Sequence, residues 1–216
     1  MDMVSIAASI AAAALAAGSG GAETRPDPLA HVRDVSITVV ASPAIAQALI
    51  DVALAEAAAI WRPAGVALMW RRVARAGDVD AAPLRDVILT VDDARTSVPD
   101  GQTALGWIRF TGPAPEPAIH LSRANAEDLM ARTANLHDKP TVMQERLVGR
   151  ALGRALAHEL GHYLFKSPAH RPAGLMRAVR PSADFFSPDR NGFDITTAER
   201  ASLGAPAPCL AAETMG

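Results

Sequence analysis

Five consecutive residues carry the chemical signal in this chain: His158-Glu159-Leu160-Gly161-His162. On a helix, residues four apart share a face, so His158 and His162 can present two imidazoles to a single ion. Glu159 is rotated by about 100° from His158. It can reach a water held by that ion without ligating it. Two neutral nitrogen ligands, an open coordination position and a carboxylate that takes a proton from water are what metal-assisted hydrolysis needs. The nitrogen-rich set makes Zn2+ the expected ion, with other divalent metals able to occupy it in vitro. The competing reading is an ordinary pair of surface or core histidines.

The pentapeptide must be positioned, and the surrounding run from Val148 to Met176 supplies the means. Leu147, Leu152, Leu156, Leu160 and Leu164 recur at helical spacing, and Arg146, Arg150 and Arg154 make a polar side. Ala151 and Ala155 leave room for close packing. Lys166-Ser167-Pro168 then ends the helix, because proline cannot continue it. Another histidine, His170, follows, and then Gly174-Leu175-Met176.

This run resembles the active-site segment of metzincin-type zinc proteases, H-E-x-x-H-x-x-G-x-x-H followed by a methionine turn. His158, Glu159 and His162 match outright. Two departures mark a divergent member. Phe165 stands where the family has glycine, and the third histidine comes eight residues after the second where the family has six. The resemblance implies that His170 is the third zinc ligand, that Met176 is the turn methionine beneath the metal, and that Glu159 is the general base. An acidic third ligand stays open, with Glu199 placed as in thermolysin-like enzymes. Asp184, Asp189 and Asp194 stay open as ligands or as partners of a histidine. Thr196-Thr197-Ala198-Glu199 is also a capping-box pattern, which explains Glu199 structurally. Tyr163 is assigned packing or support, and the isolated His31, His120 and His137 are read as ordinary histidines.

Composition bounds the rest. The 216 residues are 50% hydrophobic and 20% charged, enough for a sizeable core and unlike a disordered chain. A net charge of −2 gives no argument for nucleic acid or for an anionic membrane. Cys209 is the single cysteine, which rules out an internal disulfide and a cysteine-based zinc site. Residues 1–22 read as a signal peptide or leader. The apolar stretch Val4 to Ala17 is too short to span a bilayer comfortably, and small residues follow it. Asp2 and the lack of an early Lys or Arg fit a plain Ala-rich leader instead. The expectation is an exported protein, periplasmic or secreted, with no stable membrane span. Residues 30–204 form one catalytic domain and residues 205–216 a tail.

Along the chain, Val35 to Val40 reads as a strand, and Ser42-Pro43 as the N-cap and first residue of a helix. Arg62-Pro63-Ala64-Gly65 stops that helix. Strands follow at Val66 to Trp70, Val87 to Val91, Thr103 to Phe110 and Ala118 to Ser122. Between them lie loops at Arg71 to Pro83, Asp92 to Gln102 and the proline-rich Gly112 to Pro117. A brief helix from Asn125 to Thr133 precedes the long one, and a last helix runs from about Thr197 to Leu203, ending at Gly204. The fold class is α+β and zincin-like: a mixed, twisted five-stranded sheet with an antiparallel edge strand. A backing helix and the long active-site helix pack on it, and a small irregular C-terminal part ends in a helix. The βαβ start implies parallel neighbours. The resemblance makes Thr103 to Phe110 the edge strand and upper rim of the cleft, where an extended peptide could pair. Gly106 and Trp107 are the candidate substrate-binding residues there. Alternatively, Gly106 marks a bulge and Trp107 is core.

The function expected is that of a zinc metalloendopeptidase acting on a peptide or protein substrate. The alternative is a zinc-binding non-peptidase, either a cell-wall amidase-like hydrolase or a catalytically silent binding module. Glu159 favours catalysis, because a purely structural zinc site closes its fourth position with another protein ligand.

Overall fold

β-Branched and aliphatic residues at every second position dictate a sheet with one apolar face, and that face organises the domain. The computed structural model describes residues 3–5, 33–73, 87–95 and 104–204. Strand β2 (Arg33–Ala41) leads into helix α1 (Gln47–Trp61), then β3 (Val66–Val73), β4 (Val87–Asp92), β5 (Gly106–Thr111) and β6 (Ala114–Ser122). The five form one sheet in the order β3-β2-β4-β6-β5. All neighbours are parallel except β5, which runs antiparallel to β6 at the edge. Val35, Ile37, Val39, Leu68, Leu89, Val91, Ile119 and Leu121 alternate along these strands and are buried in one core. The mixed sheet with an antiparallel edge is the architecture expected from the sequence.

Helix α1 and the long helix α3 (Thr141–Phe165) cover that face. Burying each of Leu49, Ile50, Leu54 and Ile60 against it contributes about 1.5–3 kcal/mol. A 3₁₀ turn over Arg62–Ala64 and a left-handed Gly65 (φ 74°) end α1, as the proline and glycine there require. The remaining elements are α2 (Arg123–Arg132), α4 (Ser182–Phe186), α5 (Thr197–Gly204), and two short strands, β1 (Met3–Ser5) and β7 (Val179–Pro181), which pair antiparallel. No helix among the described residues is long and apolar enough to cross a membrane.

The α1–α3 crossing is closer than the alanine pattern suggests, because two glycines set it. A Cβ on Gly149 would lie 2.8 Å from the Leu49 carbonyl oxygen, and one on Gly153 would lie 2.5 Å from that of Ala53. Neither contact can relax without moving a helix backbone. Gly153→Ala is therefore expected to destabilise the fold by roughly 1–3 kcal/mol, despite the better helix propensity of alanine. Urea denaturation checks this, and an unchanged midpoint would show that the helices can separate cheaply.

Several local expectations are corrected. Ser42 does not cap α1: it opens a turn, accepting from Ile45 N–H at 2.9 Å, and the helix begins only at Gln47 with no side-chain cap. The proline-rich stretch is not all loop. β6 starts at Ala114 and pairs Pro115 with Phe110, but this part lies beyond the end of β4 and is paired on one side only. Proline is tolerated where one side of a strand is open. Strand β3 extends three residues past Trp70 to Val73, and α2 begins at Arg123, where Ser122 caps it by accepting from Asn125 N–H. Arg154 is not on a polar side. It is fully buried, pairs with Glu56 at 3.0 Å, and donates to the carbonyls of Asp184, Ser187 and Asp189. A guanidinium has five donors, so it can be buried where several carbonyls converge, a circumstance the helical pattern cannot reveal. Most of the leader, the greater part of the loops at 71–83 and 92–102, Cys209 and the tail lie outside the described residues.

Candidate metal centre

Helix α3 carries both His158 and His162 on its last two turns and ends at Phe165. The reversal falls on Lys166, which takes the left-handed conformation at φ 52°, ψ 42°. Its N–H and that of Ser167 both return to the His162 carbonyl. For a residue with a Cβ this conformation costs about 1–2 kcal/mol. It is the job glycine does in the family pattern, done one residue later by a lysine. The extra residues up to His170 then let the chain double back onto the helix.

The result is a convergence of three imidazoles. The Nε2 atoms of His158 and His162 are 3.1 Å apart, and those of His158 and His170 are 3.2 Å apart. The three residues form a group able to hold a metal ion. His158 Nδ1 lies 2.9 Å from the Leu175 carbonyl and His162 Nδ1 lies 2.7 Å from the Ser167 carbonyl. A carbonyl only accepts, so both Nδ1 atoms bear the proton and donate. Both Nε2 atoms are then lone pairs pointed at each other, an arrangement that repels unless a cation sits between them. A tetrahedral ion with nitrogens at 2.0–2.1 Å holds those nitrogens about 3.3 Å apart. The observed separations fit such an ion.

Electrostatics agree with the geometry. Burial, reinforced by His162, holds His158 well below the usual imidazole range, and burial brings His162 down to about 4. Both rings are neutral at pH 7, the form that binds metal. Glu159 is buried beside them, and burial pushes its carboxyl up to about 8 against the opposing contact with the Ile108 backbone. A dication within a few ångströms favours the ionised carboxylate, so a filled site returns Glu159 to the form that accepts protons.

The chain after His170 underpins the cluster. Gly174 (φ 74°) opens a tight turn in which Arg177 N–H donates to the Gly174 carbonyl at 3.2 Å. Met176 sits in that turn, buried, with its sulfur against α3 where Gly161 leaves no side chain; a Cβ there would collide with it. Arg171 N–H donates to the Met176 carbonyl at 2.8 Å, tying the turn to the residue after His170. Glu199 is elsewhere occupied. Its Oε2 accepts from Thr196 N–H at 2.7 Å and from Thr196 Oγ1 at 2.9 Å, closing the capping box of α5. No carboxylate joins the three histidines among the described residues. The aspartates contribute main-chain atoms: Asp184 and Asp189 accept from Arg154, and Asp194 accepts from Leu175 N–H.

The edge strand roofs the centre. A Cβ on Gly106 would lie 2.7 Å from Leu121 Cδ2 and 3.1 Å from the His120 carbonyl oxygen, so glycine at this position is favoured by packing onto β6, and Glu159 Cγ lies at ordinary contact distance, 3.4 Å, from the same point. Trp107 projects to the other face of the sheet, stacked on His120 with ring centroids 5.2 Å apart. The bulge foreseen as an alternative at Gly106 lies at Ile108–Phe110 instead, while Gly106 stays in register with Leu121. Phe110 meets the His162 ring edge-on at 6.3 Å. Away from β6, β5 has no partner strand among the described residues. Tyr163 packs against the core, and His137 lies on the surface beside Asp138. His31 lies outside the described residues.

No protein-family model matches this chain, and no curated protein matches it.

Sequence reasoning missed Leu175 and Ser167, whose carbonyls orient the two helical histidines. Main-chain acceptors carry no signature of residue type. It also missed Phe110, although two-residue alternation from Gly106 could have placed it on the same face.

Proposed function

We propose that this chain is a zinc-dependent metallopeptidase of metzincin-like type. The observation that carries the reading is the convergence of three Nε2 atoms, two of them with Nδ1 held on a carbonyl, beside a buried glutamate. His158, His162 and His170 would hold the ion. Zinc in such a site lowers the pKa of bound water to about 7 and polarises a substrate carbonyl.

The chain's own residues do the remainder. The unpaired side of β5 can hold an extended peptide by main-chain hydrogen bonds, as an added strand. This lays a peptide carbonyl across the histidine cluster. Glu159 then takes a proton from the attacking water as its oxygen bonds to the carbonyl carbon. It delivers that proton to the amine nitrogen as the C–N bond breaks. Burial of Glu159 beneath Gly106 and Ile108 keeps bulk water from competing for the proton.

Purified protein is expected to contain one zinc per chain, to cleave casein or a peptide library, and to lose cleavage with a chelator and regain it with zinc. Stoichiometric zinc without cleavage of any peptide would replace the peptidase by a binding module or by an amidase acting on another substrate. Absence of metal uptake would remove both.

A further inference from the structure

Among the described residues, Arg180 is the charged group packed behind the cluster whose contacts lead to a histidine. It is 1% exposed. Its Nη2 donates to the Gly174 carbonyl and, at 3.1 Å, to the Leu175 carbonyl. That Leu175 oxygen is the acceptor for His158 Nδ1–H. The guanidinium carbon lies over the Phe193 ring, 4.0 Å from its centroid, and that of Arg154 lies over the same ring at 4.7 Å. Arg180 has no carboxylate in hydrogen-bond contact among the described residues, and its Nε has no partner.

A buried cation so placed is costly, and burial lowers its pKa to about 10. Its geometry indicates what the cost supports. Two adjacent carbonyls of the methionine turn are pinned by one nitrogen, which fixes the plane of the Leu175 peptide. The direction of that carbonyl sets both the ring angle of His158 and the nitrogen that carries its proton. Arg154 makes the contrast: equally buried and on the same phenylalanine, it donates to carbonyls of Asp184, Ser187 and Asp189 and touches none that serves a histidine.

We infer that Arg180 is a positioning residue for the metal centre, acting through the Leu175 carbonyl to hold His158 as the Nδ1–H tautomer with Nε2 aimed at the ion. The inference rests on the metal-binding part of the proposed function and is independent of peptide cleavage.

The test compares Arg180→Lys and Arg180→Met with Arg154→Met in the full-length chain. Cobalt affinity is measured by chelator competition, and the His158 tautomer is read from ¹H–¹⁵N imidazole spectra of the metal-free protein. Arg180→Met is expected to weaken cobalt binding by about 10–100-fold and to produce mixed tautomers at His158. Arg180→Lys, which keeps the charge and one donor, is expected to recover part of the affinity. Arg154→Met is expected to lower Tm while leaving cobalt affinity within about threefold. Unchanged affinity and a pure Nδ1–H tautomer in a folded Arg180 variant overturn the inference, as does an equal loss of affinity in Arg154→Met. If Arg180→Met does not fold, Arg180→Lys alone decides, since it either weakens cobalt binding or does not. Wild-type protein that binds no cobalt removes the metal centre and this inference together, whereas cobalt binding without peptidase activity removes only the peptidase.

Discussion

Glu159→Gln is expected to lower kcat/KM for peptide cleavage by roughly 10²–10⁴-fold while zinc stoichiometry stays at one. Glutamine matches glutamate in size and keeps an oxygen where the carboxylate meets the Ile108 backbone, so the roof formed by Gly106 and Ile108 need not shift. What it cannot do is take a proton from water. Because Glu159 is not one of the three converging histidines, metal uptake should persist. Fluorogenic peptide turnover and metal analysis on the same sample separate the two effects. Cleavage within tenfold of wild type would strip Glu159 of its role.

The same substitution carries a pH signature in the metal-free protein. Folding raises the Glu159 pKa from 4.5 to about 8, so the folded state holds its proton after the unfolded state has released it. Stability from this group is complete below pH 4.5 and is lost as pH rises towards 8. The buried histidines act in the opposite direction as pH rises through their unfolded value of 6.5, and offset part of this loss. Between pH 6.5 and 8 the chelator-treated wild type should therefore lose about 1 kcal/mol. Glu159→Gln should show no loss over that window. Urea denaturation at both pH values measures it.

His170→Ala is the second large effect. Zinc binding by four-ligand peptides amounts to about 10–16 kcal/mol at pH 7, so one imidazole is worth about 3–4 kcal/mol, or roughly 10²–10³-fold in affinity. The loss should be this large because no carboxylate joins the three histidines among the described residues. Glu199 is the acidic rival, and its Oε2 is committed to both donors of Thr196. Competition with a chromophoric chelator gives the number directly. Retention of wild-type affinity would show that the capping box of α5 opens to supply the third ligand, and Glu199→Gln in the His170→Ala background would then abolish binding.

The histidine pair was legible because an α-helix is a local structure: residues four apart share a face whatever surrounds them. The strand and helix order was legible for a similar reason, since alternation and capping residues act within a few positions. The capping box at Thr196–Glu199 and the stop at Gly65 are examples. The prolines of β6 misled because whether a strand has neighbours on both sides depends on other segments. Arg154 misled for the same reason, since the carbonyls of Asp184, Ser187 and Asp189 that make its burial possible come from a distant stretch.

By itself, then, the sequence determined the chemistry on offer: two imidazoles and a carboxylate on one helical turn, a third imidazole after a forced reversal, and a sheet with one apolar face. Only the tertiary structure decided that His170 reaches the pair, that Glu199 does not, and that Gly106 faces Glu159 while Trp107 faces away. It alone supplied the carbonyls of Leu175 and Ser167 that aim the rings. The physical reason is that every residue carries the same main-chain donor and acceptor, so which of them a histidine meets is set by how the chain packs and not by residue type.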